Sequence, residues 1–420
     1  MTTSEKTHVF LPAIRSRWFL WLVQTFQKLT LGFRNQLRID DRDLDILRNL
    51  PVGMGIILTP NHADEVDPRI CIELSRLCGR RFIFMGNREA FDEYLGLAGW
   101  ILQRINVFSV ERGGHDVAAK KYAEDVVENG KDVLVIFPEG EIYYLNDSVQ
   151  PFHSGAIDIG IQAIIDKGEA EWNAYIVPMA IKYKYRKPVR EVLEKRVQKM
   201  EQRLKQDMSG ATLRKRLNHL LSEVVQREAV AHDLQSDTDR LLQLKEKMTF
   251  VRHALLEEVE HKYSTDVVRD SKASQARTID RAWKLESELR GKIKGHAAEQ
   301  QSELRKDLAS LNEVAHMVSW QPDYVDLDPS SERLAEVVKK LEREIFGIKR
   351  PRQVAARNVF VRIGEPIDLA KYVAEFRANP HPVRHLLADQ LRTTIQTLID
   401  EIIVANAPQR SANSEATESE

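Results

Sequence analysis

The residues best placed to do chemistry lie in Asn61-His62-Ala63-Asp64-Glu65-Val66-Asp67. A carboxylate five residues after a histidine can hold the imidazole in one tautomer. The other ring nitrogen is then left to take a proton from a hydroxyl. On this heptapeptide alone, a surface histidine beside a helix-capping aspartate is an equal alternative. Two more polar clusters share the setting, each at the end of an apolar run: Arg112 after Ile105–Val110, and Glu139-Gly140 after Asp132–Phe137. A base, an arginine and a glycine loop that brings backbone close are the parts needed to deprotonate an alcohol beside an anionic group. No serine or cysteine near His62 stands out as a nucleophile.

The elements that must position these groups follow from hydrophobic pattern. Gly53–Thr59 is a short β-branched run ended by Pro60 and reads as a buried strand. Pro68–Leu77 has helical spacing, with Asp67 suited to the N-cap and Pro68 to the first helical position. Arg81–Met85, Ile105–Val110, Asp132–Phe137 and Ala174–Ile181 read as further strands, and Pro178 suggests an edge or a bulge in the last. A helix over Asp116–Val127 stops at Asn129-Gly130. Alternating strands and helices predict an α/β domain, where ligands gather at the carboxyl ends of the strands. If the strands are parallel neighbours, His62, Arg112 and Glu139 meet on one rim.

At four places the sequence resembles the glycerolipid acyltransferases, the family that includes lysophosphatidate acyltransferase. Asn61-His62 with Asp67 matches that family's first motif, a histidine, four residues and an aspartate. Phe108 through Arg112 is similar to the second. Phe137-Pro138-Glu139-Gly140 matches the third, and Val177-Pro178 with Ile181 resembles the fourth. Val359–Ile367 is similar to a strand and turn near the family's C-terminus. The resemblance covers about residues 50–190 and 355–405. It implies a mixed, mostly parallel sheet flanked by helices, here carrying a large all-α insertion. It also implies transfer of an acyl group from acyl-CoA or acyl-carrier protein, as co-substrate, to the hydroxyl of a lysoglycerophospholipid such as 1-acylglycerol-3-phosphate, in phospholipid biosynthesis; the alternatives are transfer to another lysolipid, or a non-catalytic lipid-binding scaffold of the same fold. His62 would be the general base, Asp67 its orienting carboxylate, and Asn61, Arg112, Glu139 and Gly140 the substrate-binding residues. Neither a cofactor nor a metal is implied.

The departures bear on the acceptor. After the third motif the family carries threonine, arginine and a small polar residue, whereas this chain has Glu141-Ile142-Tyr143-Tyr144. One phosphate-binding base is absent and a carboxylate added. A phosphodiester or zwitterionic lysolipid, or an aminolipid, therefore stands beside lysophosphatidate. Asp64 replaces the serine often found two residues after the histidine, and Asn106 replaces a glycine before the second motif.

The rest of the chain divides by composition. Its 420 residues suffice for two domains, or for one α/β domain with an insertion, and a formal net charge of −1 gives no argument for nucleic acid. The two cysteines, Cys71 and Cys78, fit a reducing compartment. Residues 1–50 show no secretory signal. Within them, Arg15–Leu29 combines Trp18, Trp21, Phe19 and Phe26 with flanking bases, and its apolar run is far shorter than the roughly 20 residues a membrane span needs. That pattern suits a helix lying on a membrane surface, the alternative being a helix packed on the protein's own core. The expected units are 1–50 (interfacial helix), 51–187 (core with the four motifs), 188–350 (charged helical, coiled-coil-like insertion), 351–405 (final strand and helix) and 406–420 (disordered tail). Stripes such as Leu193, Val197, Met200 and Leu204, or Leu334, Val337, Val338, Leu341 and Ile345, predict antiparallel helices in the insertion. Its charge blocks are solvated faces or, alternatively, an arm for a protein partner or membrane. Peripheral attachment at the cytoplasmic face of a membrane is the expected location. His153 can line the pocket, and His232 stands apart from the chemistry.

Overall fold

A computed structural model gives the architecture. It describes residues 10–406 apart from 114–115, 169–170, 241–242, 264–274, 294–297, 321–329 and 349. Several stretches of the expected insertion, and the expected disordered tail beyond 406, lie outside the described residues.

The chain begins with α1 (Arg17–Arg34), β1 (Asn35–Ile39) and α2 (Asp41–Arg48), then alternates. The order is β2 (Gly55–Pro60), α3 (Asp67–Cys78), β3 (Phe82–Asn87), α4 (Arg88–Asp92), α5 (Leu97–Arg104), β4 (Val107–Val110), α6 (Val117–Asn129), β5 (Val133–Val135), α7 (Gly155–Lys167) and β6 (Ala174–Tyr185). Residues in β2 are buried throughout, as an interior parallel strand requires. Helix α6 is capped as its sequence predicts: Asp116 accepts from the Ala119 amide, and Gly130 ends the helix in a left-handed conformation.

The strands form one sheet in the order β1-β7-β6-β2-β5-β3-β4, where β7 is Arg357–Ile363; β8 (Ile367–Asp368) pairs with β6. All pairings are parallel except those of β6 with β7 and β8. The fold is therefore α/β with a mixed, mostly parallel sheet flanked by helices. Three elements depart from expectation. Strand β6 lies in the interior of the sheet, between β7 and β2, so Pro178 does not mark an edge. It faces the break between β7 and β8, where Gly364 donates its amide to the Pro178 carbonyl at 2.8 Å, and the missing N–H does not interrupt a ladder. Strand β5 is only three residues long. Within residues 1–50, β1 and α2 join the core, with β1 parallel to β7 as an edge strand.

Helix α1 turns its apolar side outward. Trp18 and Trp21 are 66% and 65% exposed, and Leu22, Phe26, Leu29 and Phe33 are exposed as well. The side against the protein carries Gln27, which is buried and donates to the Arg69 carbonyl of α3, together with Gln24, which donates to the Ile72 carbonyl. Packing on the protein's own core therefore does not account for the aromatic face.

Between β6 and β7 run α8 (Arg190–Leu204), α9 (Leu213–Ala231), α10 (Gln235–Thr238), α11 (Leu244–Tyr263), α12 (Gln275–Ile293), α13 (Ala298–Val318) and α14 (Ser331–Phe346). One shared core includes Leu193, Val197 and Met200 of α8, Leu217 and Leu221 of α9, and Val338 and Leu341 of α14. Helices of the insertion reach the α/β core. Glu332 and Glu336 of α14 accept the Tyr185 and Asn146 amides, and Ser287 of α12 donates to Glu111. After β8 come α15 (Val373–Ala378) and α16 (Pro380–Ala405), which buries a stripe that includes Val383, Leu387, Leu391, Ile395, Leu398 and Ile402.

Candidate active site

At the end of β2 the chain leaves the sheet through Asn61, the last residue held like a strand. Its amide nitrogen donates to the Ile181 carbonyl and its amide oxygen accepts the Ile181 N–H, at 3.1 and 2.7 Å. Asn146 does the same for Tyr183 two residues further along β6. Asn61, expected to bind substrate, anchors the start of the turn to β6. The side chain is buried and both ends of its amide are committed to backbone.

His62 follows. Its Nδ1 lies 2.9 Å from Asp67 Oδ2, its ring stacks on Phe137 with centroids 4.1 Å apart, and its side chain keeps partial exposure. Asp67 is fully buried. It does not cap α3 as expected: the helix starts at Asp67 itself, Val66 occupies the cap position, and the carboxylate turns inward. Oδ2 also accepts the Asp64 amide at 2.8 Å, and Oδ1 accepts the Tyr183 hydroxyl. An aspartate in this position holds the Nδ1–H tautomer and stabilises the imidazolium, leaving Nε2 to accept a proton.

Phe137-Pro138-Glu139-Gly140 forms a β-turn closed by the Gly140 amide on the Phe137 carbonyl at 3.0 Å. Gly140 adopts φ +72°, and a β-carbon there would meet the Trp283 ring. The turn aims Glu139 into the protein. Its carboxylate accepts the His62 amide at 2.7 Å and the Gln150 amide at 3.2 Å. Burial pushes this carboxyl up to about 7 against the pull of those two amides. Glu139 is buried too, and it grips the backbone of His62.

The structure brings Arg112 to the same rim, paired with Glu141 (Nη1 to Oε2, 2.5 Å) and with the Trp283 ring 5.4 Å from its guanidinium carbon. Burial works against both charges. The pairing nevertheless holds Glu141 below the usual carboxylate range and raises Arg112 above its ordinary value. Helix α12 lies across this rim. The Trp283 ring sits 5.1 Å from that of His153, and Asp280 is 3.3 Å from His153 Nδ1. A β-carbon on Gly113 would collide with the Trp283 carbonyl, so the Arg112 loop rests directly on the helix backbone. His153 thus borders the site, whereas His232 pairs with Glu258 inside the insertion.

Two participants from distant parts of the chain, Tyr183 and Trp283, leave little trace in the sequence. The unusual Glu141–Tyr144 loop was the available signal, because Tyr143 and Leu145 pack against Ile279, Trp283 and Val318 of the insertion. Asn106 was another, and it adopts the left-handed conformation that favours the glycine it replaces, φ +68°.

Elsewhere, Glu313, His316 and Glu344 place ligand atoms within 4.8 Å of one another. Burial lowers the pKa of His316, but the two carboxylates raise it to about 9, and Arg343 donates to Glu344. The three side chains form an ion-pair cluster inside the insertion, with His316 Nδ1 3.4 Å from Glu344.

No curated protein matches the chain. Residues 42–182, which run from α2 through the His62, Arg112 and Glu139 loops into β6, match the family model described as Acyltransferase. This segment is an acyltransferase domain of the glycerolipid acyltransferase family.

Proposed function

We propose that this acyltransferase moves a fatty acyl group from a thioester, acyl-CoA or acyl-carrier protein, to the hydroxyl of a lysoglycerophospholipid such as 1-acylglycerol-3-phosphate. The observation that carries this reading is the His62–Asp67 pair at the open end of β2, with Nδ1 committed to a buried carboxylate. Nε2 accepts the acceptor's hydroxyl proton as its oxygen attacks the thioester carbonyl. The tetrahedral intermediate then expels the thiolate, which takes the proton back and leaves as a thiol. The products are an oxygen ester and a free thiol, with no acyl-enzyme. General-base help of this kind contributes about 10²–10⁴-fold.

The acceptor is membrane-borne, and the surface beside the site suits a peripheral enzyme at the cytoplasmic face. The outward aromatic side of α1 adjoins α5 and the turn before it: Tyr94 and Leu95 of the turn and Leu97 and Trp100 of α5 are exposed, and Trp100 packs edge-on against Phe19. Arg15, Arg17, Lys28 and Arg34 supply charge for an anionic surface. Among the described residues, no helix is long and apolar enough to cross a membrane.

The Arg112–Glu141 pair favours a second reading of the acceptor. A dianionic phosphomonoester must displace Glu141 to reach Arg112, whereas a phosphodiester or zwitterionic head meets less repulsion. Purified protein assayed with both donor types against a panel of lysolipids tests both readings. Ester formation on any lysolipid supports the first, and the ranking of head groups decides the second. Fatty-acid release without an acceptor would instead indicate a thioester hydrolase.

A further inference from the structure

We propose that Lys339, on the returning helix α14 of the insertion, is a positioning residue for the His62–Asp67 pair and acts through Asp64. Asp64 occupies the middle of the catalytic turn, and its side chain is buried. Lys339 Nζ and Arg357 Nη1 each reach its Oδ2 at 2.9 Å, and Arg357 Nη2 reaches Oδ1 at 3.3 Å. Oδ1 also accepts the Val66 amide of the same turn at 3.2 Å. The backbone amide of Asp64 donates to Asp67 Oδ2, the very oxygen that faces His62 Nδ1. An ion cluster on the side chain of Asp64 therefore fixes the amide that fixes the orienting oxygen.

A second route converges on the same aspartate. Arg357 lies over the ring of Tyr183 at 4.0 Å, and the Tyr183 hydroxyl holds Asp67 Oδ1. Lys339 lies over the ring of Tyr144 at 4.3 Å, and the Tyr144 hydroxyl donates to Glu65 of the turn. Asp64, Tyr144, Tyr183, Tyr185, Lys339 and Arg357 all wall one small cavity behind the turn. Asp64 takes both cations, Lys339 and Arg357, while Glu332 and Glu336 line the same cavity. Without Lys339 the turn keeps an excess buried negative charge directly behind His62, and it relaxes toward water. The insertion is thereby part of the catalytic core, although Lys339 lies 275 residues beyond Asp64 in the chain.

The kinetic arm of the test rests on the acyltransfer reading; the spectroscopic arm does not. In the full chain, Lys339→Met is expected to lower kcat about 10–100-fold, as a displaced catalytic group does, with acceptor KM within about twofold. Lys339→Arg is expected to restore kcat to within about threefold, since it keeps the charge. Histidine-selective ¹⁵N spectra of ligand-free protein report the His62 tautomer directly. The hydrogen-bonded Nδ1–H signal is expected in the native protein and in Lys339→Arg, and is expected to be lost in Lys339→Met. Should Lys339→Met fail to fold, Asp64→Ser combined with Lys339→Met removes both charges, and it is expected to fold with the same loss of signal. An unchanged Nδ1–H signal in either folded variant overturns the proposal. If the native protein transfers no acyl group while the signal responds as expected, positioning stands and the acyltransfer reading falls.

Discussion

Replacing Glu139 by glutamine tests how the third motif supports the first. The carboxyl is buried, and its pKa is raised from an ordinary 4.5 to about 7, chiefly by loss of water. Below pH 4.5 the group is protonated in both folded and unfolded chains and contributes no pH dependence. As pH rises toward 7 the unfolded chain ionises while the folded one keeps its proton, so folding loses stability. Above 7 both forms are ionised and the loss is constant. At 1.36 kcal/mol per unit, a shift of this size corresponds to about 3 kcal/mol. Glutamine keeps one acceptor for the His62 amide but presents an NH₂ to the Gln150 amide, so Glu139→Gln is destabilised at acid pH. Its stability relative to native should then improve by about 3 kcal/mol between pH 4.5 and 7.5, because the native protein alone carries this slope. Urea unfolding of both proteins across that range measures the difference, in which other titrating groups cancel. A difference that stays flat would mean that the two amide bonds keep Glu139 ionised throughout, refuting the argument from burial.

Two further substitutions address the acceptor and the membrane. Glu141→Thr with Ile142→Arg frees Arg112 and adds a second base; the ratio of specificity constants should shift about tenfold or more toward lysophosphatidate and away from a zwitterionic lysolipid. A ratio unmoved by the double substitution would exclude this loop from acceptor choice. Trp18→Ser with Trp21→Ser removes two rings exposed on α1 and should leave the protein in the soluble fraction when anionic vesicles are floated, where the native protein rises with them. Flotation equal to native would assign that face another role.

What the sequence revealed about the site was local. A histidine and an aspartate five residues apart, on the turn after a buried strand, share a loop whatever the rest of the fold does, and they meet at 2.9 Å. A Pro-Glu-Gly turn is likewise set by its own backbone preferences. Long-range partners left weaker marks. Tyr183 sits on β6, Arg357 opens β7, and Lys339 lies beside Val338 and Leu341 in an amphipathic helix, where a lysine ordinarily reads as solvated. Asp64 was a clue in retrospect: a carboxylate in a buried turn requires cations from somewhere. Strand β1 was missed because Asn35–Ile39 offers only Leu37 and Ile39 as apolar positions, which an edge strand tolerates and a pattern search passes over. The hydrophobic stripes of the insertion were legible because helices bury one face. Docking of α12 on the rim was not, since it depends on Trp283 meeting Gly140 and Arg112 in space.

The central claim is that His62 is the general base of acyl transfer to a hydroxyl. Its most direct test follows thiol release and lysolipid ester formation together, for native protein and His62→Ala, with an acyl-CoA donor and with and without the acceptor. The account predicts equimolar thiol and ester in the native protein only when acceptor is present, and a loss of about 10²–10⁴-fold in His62→Ala with the fold intact. Transfer by His62→Ala at more than a few per cent of the native rate, with the same pH dependence, would contradict it.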